Sequence, residues 1–168
     1  LFFMTIANRM RNYVKTLVLQ GILLFLVAFF HLKEFSILNL IWIMLETLLF
    51  KVVAVPFFLE HMIRHNNITR ETEPFLPHFV SLLITVGIVV TAVLIASGID
   101  DTILDKFFFV AAISTIITSL YLIVSRRKIL THIVGYVVIE NGVFILSIAV
   151  GNELPILVNL GVLLELFA

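Results

Sequence analysis

The amino-acid sequence predicts an all-α protein, a polytopic bundle of about six to seven transmembrane helices. Of its 168 residues, 61% are hydrophobic and 13% are charged, whereas about a quarter of the residues of a soluble domain are charged. Apolar windows of about 17–25 residues follow one another, and a helix needs this length to cross about 30 Å of hydrocarbon. No alternating pattern of a membrane barrel competes. We therefore expect a single transmembrane domain over residues 1–168.

Short polar breaks separate the predicted spans. Residues 1–7 are apolar and are interpreted as the end of a span that began earlier, while Ala168 lies within another apolar run. Both ends therefore look truncated. The complete windows are residues 16–32, 36–59, 79–97, 107–124 and 129–150, and a last window begins at Pro155.

The basic residues alternate between the two sides of these spans. Lys33 and Lys106 are on one side, and eight others are on the opposite side, which the positive-inside rule makes cytoplasmic. Lys51 lies within a span. The eight are Arg9, Arg11, Lys15, Arg64, Arg70, Arg126, Arg127 and Lys128.

Composition also excludes several functions for this chain. The 11 basic residues balance the 11 acidic residues, so no overall field attracts nucleic acid. There is no cysteine, which excludes disulfides, cysteine nucleophiles and thiolate ligands of iron–sulfur clusters. No glycine-rich phosphate loop or nucleophile elbow is present. Any redox centre must therefore belong to another subunit.

Four ionisable residues fall inside predicted spans and are the candidate functional residues. A charged side chain at the bilayer centre costs about 2.5–3.5 kcal/mol, so such residues face the bundle interior and tend to mark ion or proton pathways. Carboxylates and a lysine bridged by water can take up and release protons. The four are Glu46, Lys51, Glu140 and Glu165.

Glu46 and Lys51 share one predicted helix and are five residues apart. At the angular step of an α-helix their side chains point about 140° apart, so we expect each to meet a different neighbour. Pro56 removes the hydrogen bond to the carbonyl of Val52 and predicts a kink directly after Lys51.

Polar residues and glycines lie near Glu140 along its own helix. Tyr136 lies one turn before it, and Asn141 adds a hydrogen-bonding group beside it. Gly135 and Gly142 lie two turns apart on another face, where a neighbouring helix can approach closely. The surroundings of Glu140 are therefore typical of a buried functional carboxylate.

Simpler interpretations remain open for several polar residues. A buried glutamate can be a structural hydrogen-bond anchor between helices, and for Glu46 this is as good an interpretation as function. His61 and His65 have the spacing of a helical metal pair but lack a third ligand, so we predict no metal site. His132 lies near the end of a span, where interfacial anchoring or proton uptake are both possible.

Two separated motifs resemble the hydrogenase-4 component E family. The stretch IVSRRKILTHIVGYVVIENGVFILSIAV resembles its signature of a basic loop followed by a span with Gly-Tyr and Glu-Asn-Gly, and ETLLFKVVAVPFFLEHMIRH resembles its lysine-containing helix. Residues 129–168 also resemble subunit K of respiratory complex I and the matching small subunit of multisubunit cation/proton antiporters. Glu140 matches that family's first membrane glutamate, and Glu165 is aligned with its second or with an acidic position of the hydrogenase family.

The resemblance implies a membrane-arm subunit of an energy-converting hydrogenase, formate hydrogenlyase or complex I-like redox complex. Glu140 and Glu165 would be protonatable sites in proton or sodium translocation, and Lys51 and Glu46 their charge partners. Supporting residues would be Tyr136, Asn141 and His132.

The same resemblance implies where the redox chemistry takes place. Nickel–iron and iron–sulfur centres would be held by partner subunits, with no cofactor in this chain. The partners would be antiporter-like and arm-joining membrane subunits, surrounded by lipid in a prokaryotic inner (cytoplasmic) membrane. Three alternatives stay open: a structural spacer of the same complex, a small antiporter subunit, and a self-contained transporter, although no inverted repeat supports the last.

Overall fold

The computed structural model of the protein describes residues 2–6, 10–30, 44–65, 77–99 and 104–150. These residues form helices and contain no strand, which confirms the predicted all-helical class for this part of the chain. The helices are α1 (Phe2–Ile6), α2 (Met10–Phe30), a π-helical segment (Met44–Ala54) that continues into α3 (Val55–His65), α4 (His78–Ser97), α5 (Lys106–Ser125) and α6 (Ile129–Ala149).

Four of these helices, α2, α4, α5 and α6, are long and apolar enough to cross a membrane. The chain is thus a helical protein with four candidate membrane-spanning helices in its described part. The window predicted at 36–59 is occupied, as far as it is described, by the π-helical segment and the first half of α3. The window from Pro155 onward lies outside the described residues. The total of six to seven spans therefore stays a prediction.

α5 and α6 form an antiparallel hairpin with a three-residue connection. The Asp105 carboxylate accepts hydrogen bonds from the backbone N–H groups of Phe107 and Phe108, which caps the first turn of α5. The backbone N–H of Asp105 donates to the carbonyl of Ala149 at 2.9 Å, so the start of α5 meets the end of α6.

Glycines on α6 allow α5 to approach closely, on the face predicted for close helix packing. A Cβ atom on Gly135 would lie 2.5 Å from Cγ1 of Ile123, and one on Gly142 would lie 2.6 Å from Cγ1 of Ile116. Real Cβ atoms do not approach other carbon atoms so closely, because optimal carbon–carbon contacts are about 3.5–4.0 Å. The close packing of α5 on α6 therefore requires glycine, which has no side chain, at these two positions.

α2 runs parallel to α6, and α3 runs back in the opposite direction. Near one end, Thr131 Oγ1 is 4.0 Å from Met10 Sδ, while towards the other end Leu24 packs in one apolar cluster with Phe144. The last turns of α3 pack near the first turns of α2 through Ile63. The described basic residues Arg11, Lys15, Arg64, Arg126, Arg127 and Lys128 therefore lie at one end of the bundle, which we call the basic end, and Lys106 at the other.

α1 and α4 complete the bundle around this hairpin. The guanidinium of Arg126, which is buried, donates through Nη2 to the carbonyl of Thr5 in α1 at 2.8 Å. The hydroxyl of Tyr121 on α5 donates to Oγ of Ser81 on α4, also at 2.8 Å. The first hydrogen bond joins α1 to the connection between α5 and α6, and the second joins α4 to α5, both at the basic end.

Candidate functional site

A lysine and a glutamate form a buried ion pair between two helices. Lys51 Nζ lies 3.3 Å from Glu140 Oε1, and the two side chains are only 4% and 7% exposed. A second ion pair, Glu60 with Arg64, is on the surface. Of the four candidate residues identified in the sequence, the structure thus brings Lys51 and Glu140 together.

Lys51 lies in the π-helical segment, four residues before the helix changes to α geometry. The change occurs between Ala54 and Val55, directly before Pro56. Proline has no N–H group, so the α-helical hydrogen bond from residue 56 to the carbonyl of Val52 cannot form. The sequence predicts a disruption of the helix at this proline, and the change from π-helical to α-helical hydrogen bonding lies next to it in the structure. π-helical turns are rare and occur frequently at functional sites.

Gly21 on α2 lies against the backbone of Lys51. A Cβ atom on Gly21 would be 2.9 Å from Cγ2 of Val52 and 3.4 Å from the carbonyl carbon and oxygen of Lys51. Sequence reasoning did not identify this glycine. Its isolated position in an apolar span was the available signal, because small residues in membrane helices allow close approach of a neighbour.

Phe144 supports the lysine from the helix that carries Glu140. The Phe144 ring lies one turn beyond Glu140 on α6, and its centroid is 5.2 Å from Lys51 Nζ. A cation at this distance from an aromatic face is attracted by the ring, by about 0.5–2 kcal/mol depending on desolvation. α6 therefore contacts Lys51 with both a carboxylate and an aromatic face.

Further polar atoms lie at the depth of this pair. The parallel register of α2 and α6 aligns Met10 with Thr131 and Leu24 with Phe144, which places Gln20 level with Glu140. Among the buried atoms near this depth that have no hydrogen-bond partner in the described part of the structure are Gln20 Oε1, Lys51 Nζ, Glu140 Oε1 and Asn141 Oδ1. The lysine and glutamate are close enough for an ion pair but are not aligned for a hydrogen bond. Because unsatisfied buried polar groups cost about 1–3 kcal/mol each, this layer is a suitable place for water or a mobile proton.

The other predicted residues have different outcomes. Asn141 is buried beside Glu140, Tyr136 is half-buried one turn away, and Nε2 of His132 is 2.9 Å from the carbonyl of Arg126, near the basic end. Glu46 belongs to the π-helical segment, but its side chain lies outside the described part of the structure. Glu165 lies outside the described residues altogether.

The two histidines and the glutamate near the end of α3 lie on the surface. His61 and His65 are exposed, with ring centroids 6.1 Å apart, and no group of three or more metal-ligating side chains occurs in the described ranges. Glu60 lies beyond the predicted span 36–59. A hydrogen bond from Arg64 and the positive charge of Arg64 lower the pKa of the Glu60 carboxyl. This exposed pair provides a natural control for the buried one.

The Lys51–Glu140 pair can hold a proton in two arrangements of equal net charge. An ammonium beside a carboxylate and an amine beside a carboxylic acid both sum to zero, so moving one proton between the two groups adds no net charge to the interior. Gaining or losing a proton leaves one uncompensated charge there, which is costly at low dielectric. A proton that enters the pair therefore favours the departure of another.

No protein family, curated protein or solved structure matches the chain in sequence or structure comparison. The geometry of the pair and the sequence motifs around Lys51 and Glu140 therefore carry the functional proposal.

Proposed function

We propose that this chain is a membrane-arm subunit of an energy-converting hydrogenase or complex I-like redox complex, in which buried Glu and Lys residues take part in moving protons or sodium ions. The observation that carries the proposal is the Lys51–Glu140 pair, 3.3 Å apart and almost fully buried between the π-helical segment and α6. Glu165 would be a further protonatable site and Glu46 a further charge partner.

The energetic cost of burying Lys51 and Glu140 favours a role beyond folding. Two desolvated charges each lose several kcal/mol of hydration, and apolar residues of similar volume usually fill such a position with equal or greater stability. Ionisable residues inside membrane helices are accordingly a feature of ion and proton pathways. The buried polar atoms of Gln20 and Asn141 at the same depth offer further hydrogen-bonding groups for a proton to use.

The resemblance of residues 46–65 and 123–150 to hydrogenase-4 component E supplies the type of complex. On that basis nickel–iron and iron–sulfur centres would lie in partner subunits, and antiporter-like and arm-joining membrane subunits would be the neighbours. The membrane would be the prokaryotic cytoplasmic membrane. A small subunit of a multisubunit cation/proton antiporter would use the same pair without a redox arm.

A structural spacer is the second candidate, and the tight packing of α5 on α6 favours it. Gly135 and Gly142 bring these helices into close contact, and the Lys51–Glu140 pair joins α6 to the π-helical segment. In a spacer these contacts would hold the helices in place, and no ion would move through the pair.

Glu140→Gln tests the two candidates in the assembled complex. The amide keeps the size of the carboxylic acid but cannot take up or release a proton. We expect the complex to assemble with a lower apparent Tm, because Lys51 loses its counter-charge, and its proton movement per electron pair to fall at least tenfold. The assay is acidification or quenching of a pH-sensitive dye in membrane vesicles that contain the complex. Glu60→Gln, in the exposed pair with Arg64, is the matched control and should behave as the parent.

A Glu140→Gln complex that pumps at the parental rate would overturn the proposed role of the pair. Loss of assembly in Glu140→Gln, with normal pumping by the fraction that does assemble, would favour the spacer. Purification of the complex in mild detergent identifies its partners, and a nickel–iron hydrogenase, a quinone-linked module or antiporter subunits alone would each define a different type of complex.

A further inference from the structure

The π-helical segment packs tightly against α2 next to Lys51. Gly21 has no side chain, and a Cβ atom at this position would meet Val52 Cγ2 at 2.9 Å and the Lys51 carbonyl at 3.4 Å. The shortest ordinary van der Waals distance between two carbon atoms is about half an ångström longer than the contact with Val52. The Val52 side chain therefore lies closer to α2 than a residue with a Cβ atom at position 21 would allow, and the Lys51 backbone lies directly beside it.

Val52 cannot easily move out of the way of a larger residue. Its β-branched side chain is stiff, because one χ1 rotamer dominates when such a residue lies in a helix. A methyl group on Gly21 therefore shifts the π-helical segment itself. Since Lys51 adjoins Val52 in this segment, the shift displaces the lysine.

α2 transmits this displacement to the ion pair because it is also packed against α6. Leu24 and Ala28 of α2 form an apolar cluster with Phe144 and Ile148 of α6, on the helix that carries Glu140. A segment pushed away from α2 thus moves relative to α6 as well. The Nζ–Oε1 separation of 3.3 Å is already longer than the about 2.7–2.9 Å of a charge-assisted hydrogen bond, so a small further displacement weakens the pair.

We propose that Gly21 is a positioning residue that sets the separation between the Lys51 ammonium and the Glu140 carboxylate. This inference rests on the proposed function only in assigning the pair to ion movement; the geometric part concerns the pair itself. Gly21 does not touch the moving ion and acts through Val52 and the Lys51 backbone.

Gly21→Ala in the assembled complex tests the functional part. We expect proton movement at least threefold slower than in the parent, because the pair is pulled apart. Gly87→Ala is the matched control: Gly87 also lies within a long apolar helix, but a Cβ atom there would meet nothing within 4 Å. Combining Gly21→Ala with Val52→Ala removes the methyl group that collides and should restore at least half of the lost rate.

A second measurement separates positioning from general packing. Lys51→Met, Glu140→Gln and their combination form a double-mutant cycle, in which the apparent Tm of the complex reports how strongly the two residues are coupled. We expect this coupling to fall by at least half when the cycle is repeated with Gly21→Ala. A merely structural glycine would lower every Tm equally and leave the coupling unchanged.

The outcomes distinguish this inference from the proposed function. Unchanged coupling in the Gly21→Ala background overturns the positioning role, even if Glu140→Gln stops proton movement. Reduced coupling supports it, even if Glu140→Gln pumps normally and the transport role fails. If Gly21→Ala does not assemble, Val52→Ile keeps the β-branched side chain and enlarges it at the same contact from the opposite helix, and unchanged coupling there overturns the inference.

Discussion

Replacing Lys51 by methionine removes one partner of the buried ion pair while keeping a long apolar side chain. At a separation of 3.3 Å and an effective dielectric constant of about 20, two unit charges attract each other by about 5 kcal/mol. Removing one partner of a buried pair typically costs about 3–5 kcal/mol, because the remaining charge is left without compensation. Lys51→Met should therefore destabilise the fold strongly, and Glu140→Leu should do so to a similar degree.

The double variant Lys51→Met/Glu140→Leu separates this charge effect from packing. Apolar replacement of both partners of a buried pair is often neutral or stabilising, so we expect the double variant to regain most of the lost stability. Thermal unfolding of the purified protein in mild detergent measures this. With about 2–4 °C per kcal/mol for a chain of this size, each single variant should lower the apparent Tm by roughly 6–20 °C.

Simple additivity would refute this reasoning. If the double variant loses as much stability as the two single variants together, Lys51 and Glu140 do not interact. A single variant with the parental Tm would show that the remaining charge has reached water or another partner. The exposed pair of Glu60 and Arg64 is the control, since the same cycle there should give little coupling.

Two further predictions concern the helices around the pair. Gly142→Leu should destabilise the α5–α6 hairpin by about 1–3 kcal/mol, because its Cβ atom would lie 2.6 Å from Cγ1 of Ile116; thermal unfolding measures the loss, which Ile116→Ala should partly reverse. Arg126→Met should release α1, because the guanidinium of Arg126 donates to the Thr5 carbonyl. Faster hydrogen exchange of the amides of α1 would show the release, and unchanged protection would contradict it.

Hydropathy alone located the central helices closely. The windows 79–97, 107–124 and 129–150 differ from α4, α5 and α6 by at most one residue at each end. The window 16–32 begins six residues after the start of α2, because Met10 and the next turn continue the helix through Arg11 and Lys15. Hydropathy reports where a chain meets lipid, whereas backbone hydrogen bonding continues beyond that boundary.

The Lys51–Glu140 pair could be predicted only in part from the sequence. Lys51 and Glu140 are conspicuous because a charge in an apolar span is costly, and this cost does not depend on what lies opposite. Their mutual contact depends on how helices far apart in sequence pack together, and so does the role of Gly21. Arg126 was interpreted as a loop charge, but the structure buries it against α1, since its neighbours come from the opposite end of the chain.

The position of Glu140 along α6 has an electrical consequence. It is the twelfth of 21 residues in this helix, so in a membrane that α6 crosses it lies close to the middle of the voltage drop. A full crossing of 100 mV changes the energy of an elementary charge by about 2.3 kcal/mol, and a charge that travels from one surface to Glu140 therefore gains or loses about half of that. Under the proposed function, the membrane voltage would thus act directly on the occupancy of this carboxylate, and a discharged membrane would load it differently from an energised one.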